Sequence, residues 1–292
     1  MNVLVIGSTG LLGTEICRRL KANGHTVSGL VRAGSPKQAT VKGLGVTVAT
    51  GDLRDATSLD AALKGVETIV TTATAVTSTG SGNSLAAVDA AGHANLIAAA
   101  KRAGTKRFVF VSASPKYSDS CPLIFAKRAT ETALKASGLD YVIVQPSFFM
   151  DIWFSKALGW DLKVGKAQIF GAGDAPISFI SIDDVAAYTV AVTEDLKVKN
   201  QEIPLGGPEA VTPRGALETI EKVAGKKFKV TTLPGFVPKM ASMLLKPFNP
   251  KLASLMALGV ETLTGDTIDL TKARSLANVK LTSVADWAKK NT

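Results

Sequence analysis

The chain has 292 residues, 46% of them hydrophobic and 20% charged, enough to bury a substantial core and close to the size at which one domain becomes two. The formal charge of +10 does not define a nucleic-acid binder. Half of that excess lies in the first 51 residues, where Arg18, Arg19, Lys21, Arg32, Lys37 and Lys42 face the single acid Glu15, so an anionic small molecule bound there accounts for it; the cluster Lys226, Lys227 and Lys229 reads as a solvated face.

Val3, Leu4, Val5 and Ile6 form an unbroken apolar run, the pattern of a parallel strand buried on both faces. Gly7-Ser8-Thr9-Gly10-Leu11-Leu12-Gly13 follows at once. In such a turn Gly7 permits the tight exit from the strand, Gly10 lets the backbone approach a pyrophosphate, and Gly13 lets the next helix pack closely on the sheet. The helix N-terminus then faces the phosphates. The spacing predicts a helix from Leu11 to Lys21 with Leu12, Ile16 and Leu20 on one face, a stop at Gly24, and a second strand from Thr26 to Val31. This is a βαβ unit with a dinucleotide fingerprint. Where an NAD site usually offers a carboxylate to the ribose, this chain has Arg32, and no acid occurs between Glu15 and Asp52. Arg32, the Ser35 hydroxyl and Lys37 are expected to cage a 2′-phosphate, so NADP(H) is expected in preference to NAD(H).

The alternation continues with a strand from Val46 to Thr50, a helix from Thr57 to Leu63 and a strand from Val66 to Thr72. A Gly/Ser/Thr-rich loop from Thr74 to Asn83 precedes a long helix from Ser84 to Ala103, a strand from Phe108 to Val111, a helix from Leu123 to Ser137 and a strand from Tyr141 to Val144. Six strands alternating with helices predict an α/β fold, a Rossmann-type doubly wound parallel sheet with its site at the carboxyl ends of the strands. Beyond Pro146 the regularity fails. A strand is expected at Gln168 to Phe170, a helix opened by the carboxylates of Asp183 and Asp184, a strand at Ile203 to Leu205, a helix from Pro213, a strand at Phe228 to Thr232 and a largely apolar helical stretch from Val237 to Leu258. The division expected is 1–150 for the NAD(P)-binding domain and 151–292 for a small C-terminal substrate-binding or lid region that partly completes the sheet.

Cys17 and Cys121 lie far apart and lack metal-ligand spacing, so both are expected as reduced, buried thiols, with no metal. No run reaches the roughly 20 apolar residues of a membrane span. The N-terminus enters a strand directly, which suggests a cytoplasmic protein, or an organelle-matrix protein whose transit segment has been removed.

These residues resemble the short-chain dehydrogenase/reductase superfamily, in its atypical NmrA-like branch. The likeness covers roughly residues 1–210. It is carried by the glycine turn, Val31-Arg32, Gly51-Asp52-Leu53, Phe110-Val111-Ser112, the segment from Lys127 through Ser137-Gly138-Leu139-Asp140-Tyr141, and Ile182-Asp183-Asp184-Val185. It implies that Asp52 and Leu53 sit beside the adenine, that Ala73 and Thr74 follow the cofactor, that Ser112 flanks the nicotinamide, and that Pro146 starts the loop over the nicotinamide end. Lys127 is implied to touch the nicotinamide ribose. The alternative for Asp52 is a turn carboxylate that caps a helix.

Classical members place a tyrosine four residues before the lysine, its pKa lowered by the ammonium. This chain has Leu123 there, and a leucine transfers no proton. Lys127 and, ten residues before it, Tyr117 are the candidate catalytic residues. Lys127 has the alternative of a structural contact with the ribose. His25, in a turn, and His93, in a long helix, are expected to be structural. Phe149, Trp153 and Phe154, in an aromatic-rich stretch, are the candidate substrate wall, with core packing the alternative. The function expected is an NADPH-dependent reductase delivering hydride to a small apolar or aromatic carbonyl, enone or quinone; the alternative is an NADP-binding redox sensor or scaffold without turnover. Nucleic acid is not an expected partner.

Overall fold

The computed structural model describes residues 1–78 and 82–292. The expected loop from Thr74 to Asn83 therefore lies partly outside the described residues. In chain order the elements begin β1 (Asn2–Ile6), α1 (Leu11–Ala22), β2 (Thr26–Val31), α2 (Gln38–Gly43), β3 (Thr47–Thr50), α3 (Ala56–Ala62) and β4 (Thr68–Thr71). A π-helical segment (Ala86–Gly92) leads into α4 (His93–Ala103), followed by β5 (Arg107–Val111), α5 (Pro122–Lys135) and β6 (Asp140–Pro146). Then come α6 (Met150–Trp153), β7 (Lys166–Phe170), α7 (Ile182–Glu194), β8 (Gln201–Leu205), α8 (Pro213–Ala224), β9 (Lys229–Leu233), α9 (Phe236–Leu245), α10 (Pro250–Glu261), α11 (Thr271–Leu276) and α12 (Val284–Asn291).

The sheet order is β3-β2-β1-β4-β5-β6-β8. The pairings from β3 across to β6 are parallel, and β8 adds a seventh strand beside β6. The strand order reverses between β1 and β4, the switch point at which ligands bind in such sheets. β4 and β5 are buried along their whole length, because helices cover both faces of a parallel sheet. Leu4, Ile6, Ile69, Phe108, Phe110 and Ile143 from the strands pack with Leu59, Leu96 and Leu134 from the helices. Each such side chain contributes about 2 kcal/mol on burial.

The chain divides into two compact units, and the division is interleaved rather than a single cut at residue 150. The first comprises Met1–Ser112, Leu123–Val144 and Ala186–Ile203; the second comprises Ala113–Pro122, Gln145–Val185 and Pro204–Thr292. The reason is topological: after β6 the chain comes back to the Rossmann unit to complete α7 and lay down β8.

Three local expectations are corrected. The long helix expected from Ser84 is wound as a π-helix over Ala86–Gly92; there the Asp89 carboxylate accepts from Ala75 N (2.8 Å) and the Asp89 carbonyl accepts from Thr130 Oγ1 (2.9 Å), side interactions of the kind that accompany a widened turn. The apolar stretch expected from Val237 to Leu258 is two helices, broken over Lys246-Pro247-Phe248-Asn249, with Pro250 at the first turn of the second. Asp184 does not serve the α7 N-terminus with its carboxylate. Ser181 Oγ accepts from Asp184 N (3.0 Å), while the buried Asp184 carboxylate accepts from Thr282 N (2.7 Å) and Thr282 Oγ1 (2.8 Å).

Candidate functional site

In the first unit the glycine turn is built as the sequence requires. Gly7 leaves β1 with φ +86°, and a Cβ there would lie 2.6 Å from Thr72 Oγ1 and 2.9 Å from Ala73 N, so Ala73, expected along the cofactor, presses on the turn itself. A Cβ at Gly13 would overlap the Gly7 carbonyl. Gly10 N donates to Gly7 O (3.0 Å), and Gly10 begins α1 without a side-chain cap. The uncapped first turn leaves backbone N–H groups for an anion. Ser8 is buried, its hydroxyl donating to Leu30 O (3.2 Å); Thr14 Oγ1 donates to Ser8 O (3.1 Å), fixing the loop that carries Thr9. Leu12 is half-buried and Leu11 exposed, while Ile16, Cys17 and Leu20 face the core.

The ends of β2 and β3 enclose a crevice of about 500 Å³ lined by Arg32, Ser35, Gly51, Asp52, Arg54 and Ser58 among others. Arg32 donates from Nη1 to Asn83 Oδ1 (2.9 Å). Lys37 is exposed on the same loop and outside the lining set; its backbone N–H meets Ser35 Oγ at 3.3 Å. Asp52 is gripped by Arg54, Nε to Oδ1 at 3.0 Å and Nη2 to Oδ2 at 2.6 Å; the hydrogen bonds from Arg54 hold its carboxyl below the usual carboxylate range. It caps no helix but serves the turn, Oδ1 accepting from Arg54 N (2.9 Å); Asp55, accepting from Thr57 N and Ser58 N, caps α3. Leu53 is buried against Gly92. The Thr74 hydroxyl accepts from Val76 N (3.2 Å). These residues fit a nucleotide carrying a 2′-phosphate: two guanidinium groups, that of Arg54 already paired with Asp52, and a hydroxyl at the strand ends, and a backbone cradle that has no room for a Cβ.

Arg54 and Asn83 are not among the site residues expected from the sequence. Arg54 had a signal, two residues beyond Asp52 on the strand-end loop. Asn83 had none, because its approach to Arg32 is made by the fold.

Lys127 stands on α5, 8% exposed, its Nζ donating to Val111 O (3.0 Å) and lying 5.1 Å from the Phe110 ring centroid. Burial lowers its pKa to about 8, against the opposing pull of Asp89 and Glu131. Leu123, one turn earlier, is buried. Ser112, at the end of β5, is 4% exposed and its hydroxyl has no hydrogen-bond partner among the described residues. His93 is buried between Thr71 Oγ1 (3.1 Å) and Val88 O (3.2 Å), and burial lowers its pKa to about 4, so it is a neutral core histidine. His25 pairs with Glu194 (2.8 Å). Cys17 and Cys121 are buried thiols, Cys121 Sγ donating to Ser254 O (3.7 Å), and burial raises the Cys17 thiol to about 12.

In the second unit, Tyr117 is buried with its ring 4.9 Å from Phe148. Burial, reinforced by Asp266, pushes its phenol well above the ordinary range. Asp266 is itself fully buried and accepts from Ser114 Oγ (2.7 Å); Pro146 O accepts from Ser114 N (2.9 Å). Phe154 lies among Trp160 (4.9 Å), Phe179 (4.9 Å) and Trp287 (5.5 Å) and is 4% exposed, so its area is committed to packing. The cavity beside it is about 20 Å³, space for one water. Phe149 and Trp153 remain half-buried.

A glycine turn at the carboxyl end of β1, an uncapped helix start and an arginine-lined crevice at the ends of β2 and β3 define a nucleotide-binding protein of the Rossmann class. The chain belongs to the NmrA-like family, which matches residues 1–288. It is 31% identical over 238 residues to photosystem II assembly factor Ycf39 of Synechocystis sp., covering 80% of this chain and 71% of that one. It is 28% identical over 261 residues to the (4-alkanoyl-5-oxo-2,5-dihydrofuran-3-yl)methyl phosphate reductase of Streptomyces griseus, covering 89% and 86%. In fold it is similar to the Escherichia coli NADPH-dependent quinone oxidoreductase QOR2 complexed with NADPH, at a TM-score of 0.77 with 24% identity over 99% of each chain.

Proposed function

We propose that the protein is an NADPH-dependent reductase of a small apolar or aromatic carbonyl, enone or quinone. The observation that carries this reading is Lys127, a buried ammonium with a pKa of about 8 and an Nζ held at the end of β5. A proton donor of that pKa is poised for use near neutrality. The glycine turn of residues 7–13 and the strand-end residues Arg32, Ser35, Lys37 and Arg54 hold the dinucleotide, and the guanidinium groups select the 2′-phosphate. Ser112, Ala73, Thr74, Asp52, Leu53 and Pro146 complete the contacts. Bound NADPH supplies the hydride. Lys127 orients the ribose and holds the proton that the reduced carbonyl oxygen or carbon needs. Tyr117, whose raised pKa makes it the weaker acid, is the second candidate donor, and Phe149 and Trp153 make the apolar contacts to substrate. The Streptomyces reductase, named for an unsaturated oxo-dihydrofuran, supports an enone or carbonyl acceptor.

A second reading, an NADP-binding scaffold without turnover, is favoured by Leu123 in place of the tyrosine and by the likeness to an assembly factor. The two separate on one experiment. NADPH oxidation is followed with quinones, enones and aldehydes for the wild type and Lys127→Ala; turnover that collapses in the variant supports the reductase, and tight binding without oxidation supports the scaffold.

A further inference from the structure

The second unit carries a surface that the proposed reaction does not use. α9 and α10 pack side by side, and Pro238 is the α9 residue that is buried. The residues of α9 at helical spacing i, i+4, i+7 and i+8 are Phe236, Met240, Met243 and Leu244, an arrangement that ordinarily faces a core. Here they are the exposed face, at 63%, 55%, 69% and 66%. Phe248, in the turn between the helices, is 86% exposed, and Leu252 continues the stripe at 39%. The hairpin carries a single acid, Glu261, the last residue of α10, whose Oε1 accepts from Ser118 N (3.0 Å). From Pro234 to Val260 the chain holds Lys239, Lys246 and Lys251 and no aspartate or glutamate. Lys239 is three residues from Phe236 and Lys246 three from Met243, so both exposed lysines border the stripe.

We propose that this hairpin docks on the surface of a bilayer rich in anionic phospholipid, with Phe236, Met240, Met243, Leu244 and Phe248 entering the boundary between headgroups and acyl chains and the lysines meeting lipid phosphates. Charge complementarity selects this occupant. The apolar stripe is bordered by lysines and by no carboxylate, which suits an anionic surface and not a second copy of itself, since a twofold contact sets lysine against lysine.

The test is co-sedimentation of the full-length protein with vesicles of phosphatidylcholine alone and with vesicles containing phosphatidylglycerol, at low and high salt. The expected result is binding to the anionic vesicles alone, weakened by salt. Met243→Ser with Phe248→Ser abolishes it, and Lys239→Glu or Lys246→Glu lowers it by at least roughly fivefold each. The substituted side chains are exposed, and NADPH affinity and unfolding midpoint check that each variant is folded. The proposal is overturned if the wild type does not bind phosphatidylglycerol vesicles, or if folded variants bind as the wild type does. It is equally overturned if the apolar substitutions change oligomeric state or binding to a protein partner while vesicle binding is absent.

Discussion

In the proposed function Arg32 carries the distinction between the two nicotinamide dinucleotides. Its guanidinium lines the crevice beside Ser35, and a charge-assisted hydrogen bond to phosphate contributes about 1.5–3 kcal/mol. Arg32→Ser therefore weakens NADPH binding by roughly 10- to 100-fold and leaves NADH binding unchanged, as fluorescence titration of both will read. Lys127 predicts a pH profile. Its pKa is lowered to about 8, so a rate that needs the ammonium is level below that value and falls as pH rises through it; a rate independent of pH across that range contradicts the role. His93 predicts the acid limb of stability. Its folded pKa of about 4 lies below the ordinary 6.5, so folding favours the neutral ring. The contribution is complete above the unfolded pKa and is lost as pH falls toward the folded one. From about pH 7 to about pH 5 the loss is about 2 kcal/mol. Urea titrations should show that dependence in the wild type and its absence in His93→Gln.

Among the elements, the repeating strand-helix units were legible in the sequence and the connections between distant parts were not. The apolar run of β1, its glycine turn and the start of α1 follow from local chemistry, because a buried parallel strand and a close backbone approach restrict residue choice over a few consecutive positions. Arg107 shows the opposite case. It is a charged residue, yet it is 3% exposed and its Nη2 donates to Val192 O, Asp195 O and Val198 O at 2.5, 3.1 and 2.6 Å. It thereby closes the C-terminal end of α7, where a cation also meets the helix dipole. Nothing near Arg107 in sequence announces carbonyls more than eighty residues away. Arg107→Ala is expected to lower unfolding free energy by about 3 kcal/mol, measured by urea denaturation; a loss below about 1 kcal/mol, the worth of an ordinary hydrogen bond, contradicts the account. The π-helical turn before α4 was likewise hidden, because it depends on the partners that Asp89 finds in Ala75 and Thr130.

At the scale of the whole molecule, the chain combines a dinucleotide cradle of one unit with an aromatic-rich second unit whose ownership of residues is interleaved along the sequence. The glycine turn was readable because a tight exit from β1 and close packing of α1 impose glycine at fixed spacing. Of the residues expected as a substrate wall, Phe154 belongs to an aromatic core with Phe148, Trp160, Phe179 and Trp287, because aromatic composition alone does not separate a core from a pocket. The absence of a tyrosine four residues before Lys127 makes turnover the central question. The most direct test is stopped-flow oxidation of NADPH by a quinone and an enone, with wild type beside Lys127→Ala. The account predicts oxidation of NADPH in preference to NADH, at a rate that collapses in the variant; NADPH bound tightly but oxidised by neither acceptor, or oxidised equally well without Lys127, would contradict it.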